Sequence, residues 1–84
     1  MIEVLEITSK EMQRVKINPR HIVCIEPVKR PPLIEGVASL FDPAVEFSMI
    51  TLSTGSSTRK IVVAASVDLI EAKINNARRR LLKG

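Results

Sequence analysis

The run from Ser48 to Gly84 constrains this chain most, because it reads as strand, turn, strand and helix without interruption. Ile50 and Leu52 sit two apart, as do Ile61 and Val63, so each pair faces one core if the backbone is extended. Thr51 and Val62 are β-branched and suit a pleated strand. Between them, Ser53 to Thr58 is all small, polar or glycine, which reads as a loop longer than the tightest hairpins use. Gly55 is the residue there that adopts a positive φ without steric cost. The helix is expected over 66–83. Ser66 is a good N-cap, and Asp68 in the first turn complements the positive helix end. Val67, Ile70, Ile74, Ala77 and Leu81 recur at steps of three and four and fall in one apolar stripe about 80° wide.

Upstream, Ile2 to Thr8 alternates as a strand with Ile2 and Val4 on one side. Ser9-Lys10-Glu11 is a polar turn. Met12 to Ile17 is a second strand with Val15 and Ile17 sharing a face, and Asn18-Pro19-Arg20 breaks it. His21 to Glu26 reads as a third strand, with Ile22 and Cys24 on one face and Val23 and Ile25 on the other. Apolar residues on both faces predict a central strand covered twice. The expected fold class is therefore α+β: a single domain, 1–84, with about five short antiparallel strands in a curled or barrel-like sheet and one C-terminal amphipathic helix.

The core of such a domain is thin. The chain has 84 residues, no Trp or Tyr and two Phe, so Ile, Val, Leu and Met must fill the interior. Small aliphatic cores without disulfides or metals often gain stability by oligomerising. Against that background the segment 27–47 stands out. It holds four of the five prolines (Pro27, Pro31, Pro32 and Pro43), yet it is not a polar linker. Leu33, Val37, Leu40, Phe41 and Phe47 lie in it, and the expectation is that this insertion either folds over its own sheet or forms the contact surface for another chain.

With these elements placed, the chain resembles the FlbD-like family of small flagellar and swarming-motility proteins. Ile17-Asn18-Pro19-Arg20-His21-Ile22-Val23-Cys24-Ile25-Glu26 matches the family's hydrophobic-Asn-Pro segment leading into Ile-x-x-Ile-Glu. Ile50-Thr51-Leu52, Gly55, Lys60-Ile61-Val62-Val63 and Ser66-Val67 match its later strand, turn, strand and helix start. The resemblance spans residues 1–27 and 48–80. The chain departs from the family in the proline-rich insertion, in Ser9-Lys10-Glu11 where the family has a glycine turn, and in a second turn lengthened by Ser56-Ser57-Thr58. What the resemblance implies is a non-enzymatic accessory protein linked to motility.

No residue pattern points to catalysis, a cofactor or a metal. His21 and Cys24 are three apart, and on a strand that spacing points two side chains to opposite faces rather than together as a nucleophile and base. One cysteine and one histidine make no metal site of known spacing. The carboxylates are scattered, and Gly55 lacks the lysine spacing of a phosphate loop. The lone cysteine, the missing basic leader and the absence of any apolar run of membrane-spanning length predict a cytoplasmic protein.

The formal charge is +4. Residues 1–65 carry eight basic and seven acidic groups, while 66–84 carry five and two, so the excess lies in the helix. Arg78, Arg79, Arg80 and Lys83 make nucleic-acid binding the alternative function. The three arginines fan about 200° around the helix and form no stripe, and no Tyr or Trp is present to stack on bases. The leading expectation is a non-catalytic, self-associating protein-interaction module.

Overall fold

The computed structural model describes residues 1–8, 10–29 and 41–83, with the backbone alone for 80–83. Five strands, β1 (Ile2–Ile7), β2 (Met12–Ile17), β3 (Ile22–Val28), β4 (Phe47–Thr54) and β5 (Ser57–Val63), form one antiparallel sheet in the order β2-β1-β5-β4-β3. The helix α1 (Val67–Lys83) packs across one face. This is the expected small α+β architecture. The sheet is open rather than closed into a barrel, and β2 and β3 are its edges.

The period-two pattern decides which side chains meet the helix. Ile2 and Val4 of β1, Ile17 of β2, Ile50 of β4 and Ile61 and Val63 of β5 form the buried inner face, closed by Ile70 and Ile74 from α1 and by Ala65. Each fully buried aliphatic side chain contributes roughly 1.5–3 kcal/mol relative to exposure, so these few residues carry most of the fold. β1 meets β5 through Glu6 and Ile7. Its first half therefore overhangs the end of β5, and α1 covers it: Lys73 Nζ donates to the Glu3 carbonyl at 2.7 Å.

The connection from β5 to α1 is fixed at successive residues. The Ala64 N–H donates to the Leu5 carbonyl at 3.0 Å. The Ala65 carbonyl accepts from Ser48 Oγ at 2.6 Å. The Ser66 hydroxyl then accepts from the Leu69 N–H at 3.1 Å, which is the N-cap bond expected of it. At the β1–β2 turn, Thr8 does the work of a turn residue: its hydroxyl accepts from the N–H groups of Lys10 and Glu11, and its own N–H donates to the Glu11 carbonyl at 2.9 Å. Asn18 caps a short 3-10 helix, Pro19–His21, by accepting from the Arg20 N–H at 3.0 Å.

Three expectations are corrected. β3 is an edge strand, not a central one. A register shift between Ile22 and Cys24 marks a bulge there. Ile22 and Ile25 consequently both pack on the inner core, while Val23 is 65% exposed. The third strand also begins at Ile22, with His21 in the 3-10 helix. Finally, the β4–β5 loop is two residues, Gly55-Ser56, since Ser53 pairs with Thr58 and Thr54 with Ser57. Gly55 has φ +71° and no non-glycine residue among the described ones has a positive φ, Ser56 included, which is the pattern of a type II′ hairpin.

β3 continues through Pro27 to Val28, and β4 begins at Phe47. A proline is tolerated in β3 because an edge strand has one side without a ladder partner. Leu33, Val37 and Leu40 lie outside the described residues.

Candidate functional site

The helix covers the inner face and leaves the outer face to other groups. The registers place Met12, Ile7, Val62 and Met49 in one row across β2, β1, β5 and β4, ending at Glu26 on β3. A second row starts at exposed Arg14 on β2 beside Leu5 on β1, and Phe47 on β4 pairs with Val28 on β3 on the same face. Ile7 and Phe47 are buried, while Met12, Leu5, Val62, Met49 and Val28 are half-buried. A two-layer domain thus carries a second apolar face, opposite its core.

Of the insertion residues expected to make contacts, Phe41 and Phe47 are described and meet each other. Their rings stand edge to face, with centroids 5.6 Å apart and planes at 69°. Phe47 is 2% exposed and Phe41 half-buried. The end of the insertion therefore returns to the outer face of its own sheet. Beside Phe47 and Val28 an open groove of about 300 Å³ runs toward the start of α1, lined also by Pro27, Val45, Ser66 and Val67.

The other candidates separate. His21 is exposed at the end of the 3-10 helix. Cys24 is half-buried, and its thiol donates to Glu26 Oε1 at 3.4 Å. That hydrogen bond pushes the thiol above its usual range, with burial and the Glu26 charge acting the same way and Lys60 opposing. A raised thiol holds less thiolate near neutrality, the reverse of an activated nucleophile. Alkylation of Cys24 by iodoacetamide at pH 8 is expected to be slower than that of an unstructured cysteine peptide, and to accelerate in Glu26→Ala. Equal rates for the protein, its variant and the peptide would contradict this account. Among the described residues, no three His, Cys, Asp or Glu side chains cluster to hold a metal, and no helix is long and apolar enough to cross a membrane.

Arg78 and Arg79 are exposed on α1, and the side chains of Arg80 and Lys83 lie outside the described residues. One charged group escaped the sequence reading. Glu6 is 7% exposed on the inner face, where its carboxylate accepts from Arg59 Nη2 at 3.3 Å and from Gln13 Nε2 at 3.4 Å. The signal was present in the alternation Ile2, Val4, Glu6, which puts the carboxylate on the core side. Arg59 is mostly exposed, so the pair gains little beyond satisfying a buried charge. No protein-family model matches the chain, and no curated protein or solved structure is significantly similar to it.

Proposed function

We propose that this protein is a non-catalytic interaction module that self-associates through the outer face of its sheet. The observation that carries this reading is the apolar row Met12–Ile7–Val62–Met49, which spans four strands on the side away from α1. Ile7 is already covered within the chain, so the half-buried Met12, Val62 and Met49 supply the surface a second copy would bury, and a thin inner core favours that association. Phe41 and the groove beside Phe47 and Val28 extend it, giving large side chains a place to anchor. The expected contacts from the insertion, Leu33, Val37 and Leu40, belong to the same proposal.

Sedimentation tests it. The native chain is expected to gain mass with concentration, and Met49→Lys with Val62→Lys to run as a folded monomer. Both positions are half-buried, so the inner core is untouched by the change. A native monomer at all concentrations would sink the proposal.

The resemblance to FlbD-like proteins makes motility the process this reading assigns to the module. A cytoplasmic setting goes with it, since the chain's one cysteine is a free thiol. The basic end of α1 supports a second reading, a nucleic-acid-binding regulator, through the exposed Arg78 and Arg79. It ranks below the first because consecutive helical residues point about 100° apart and share no stripe.

A further inference from the structure

The geometry points to the edge of β2, which pairs with no second strand among the described residues, as a docking edge for an extended segment of another protein, one that alternates apolar and acidic residues and joins the sheet as a sixth strand. This goes beyond self-association through the sheet face and uses different atoms.

The two edges of the sheet are unequal. β3 is interrupted by the bulge at Ile22/Cys24 and by Pro27, which has no N–H to donate. β2 has neither device: its six residues pair with β1 in unbroken register, from Ile2↔Ile17 to Ile7↔Met12. The hairpin bond from the Thr8 N–H to the Glu11 carbonyl sets the phase of that ladder. Inward and outward groups alternate in an antiparallel pair. Glu11, Gln13, Val15 and Ile17 therefore turn their N–H and C=O groups toward β1, and Met12, Arg14 and Lys16 turn theirs outward. Three consecutive donor–acceptor pairs are the template that strand addition uses.

Side chains then choose the occupant. Arg14 and Lys16 are exposed on the outer face, two residues apart. Lys16 stands opposite Glu3, but Arg14 stands opposite Leu5 and meets no carboxylate across the ladder. On the inner face, half-buried Val15 and buried Ile17 form the rim of the core. A second copy adding β2 to β2 would set basic groups against basic groups, which is unfavourable for directly opposed side chains. An incoming strand with carboxylates on one side and aliphatic groups on the other satisfies both faces: its acids meet Arg14 and Lys16, and its apolar residues extend the row begun by Val15. The attraction for such a segment is local to Arg14 and Lys16, because the chain's net +4 lies mostly in the helix.

The test uses the full chain and a fluorescein-labelled Val-Glu-Val-Glu-Val-Glu peptide, followed by anisotropy and by amide hydrogen exchange. The expected result is saturable binding that weakens with salt, with slowed exchange at Met12, Arg14 and Lys16. The Val-Lys-Val-Lys-Val-Lys peptide should bind at least about tenfold more weakly. Arg14→Pro deletes an outward N–H that the β1–β2 ladder does not use and should abolish binding. Arg14→Glu with Lys16→Glu, which leaves the ladder intact, should reverse the preference toward the lysine peptide. Equal binding of both peptides, no binding of either, or protection confined to β3 would overturn the inference. So would concentration-dependent protection of the same three amides without peptide, which would assign the edge to a second copy. Association through the outer face leaves those amides unprotected, so the two proposals fail separately.

Discussion

Replacing Ile70 by alanine is expected to cost about 2–5 kcal/mol and lower the unfolding midpoint by roughly 10–30 °C. Ile70 is fully buried at the point where α1 meets the sheet, in one cluster with Ile50, Ile61 and Val63. Deleting three carbons there loses their transfer free energy and leaves a void that a short, doubly tethered helix cannot close by shifting. The tethers are the Ser48–Ala65 and Lys73–Glu3 bonds at either end of the contact. A domain of this size has a total stability of order 5–15 kcal/mol, so the loss is a large share of it. Leu69, one residue earlier and half exposed, provides the comparison. Leu69→Ala should stay within about 0.5 kcal/mol. Thermal or urea denaturation of the two variants decides the matter, and equal losses would mean that α1 does not present its Ile70 face to the sheet.

Ser48→Ala is expected to cost about 1–3 kcal/mol, which is large for one oxygen atom. Ser48 is fully buried in β4, and its hydroxyl donates to the Ala65 carbonyl at 2.6 Å. That carbonyl belongs to the turn between β5 and α1, and Ala65 is itself buried. Without the hydroxyl the acceptor has neither water nor a protein donor, and the full desolvation cost of the carbonyl falls on the fold. Ser66→Ala, which removes the cap at the exposed start of the same helix, should cost less, about 1 kcal/mol. Chemical denaturation of both variants gives the order. A Ser48→Ala protein as stable as the native chain would show that the turn holds without this bond.

The patterning of β1, β2 and α1 was legible because it is local. Ile2 and Val4 alternate, Ile70 and Ile74 recur at helical spacing, and each repeat names one face whatever the rest of the chain does. Ser66 capped the helix for the same reason, since its bond reaches only three residues ahead. The polar run Ser53 to Thr58 was misread because composition reports solvent exposure, and the tip of a hairpin is exposed whether it is loop or ladder. Of the candidate contact residues, Phe41 and Phe47 were visible as large apolar groups in an unlikely place. The row Met12–Ile7–Val62–Met49 was not, because its members come from four strands and no short window contains them.

Sequence alone determined which segments are extended, which one is helical, and which side of each is apolar, since backbone sterics and side-chain periodicity act between near neighbours. Only the tertiary structure decided that β3 lies at an edge, that a bulge turns Ile25 to the core side with Ile22, that Glu6 is buried beside Arg59, and that β2 is the other edge, in unbroken register with β1. Those outcomes depend on the order in which strands pair across tens of residues. That order is settled by the combined burial of the whole sheet rather than by any one stretch of it.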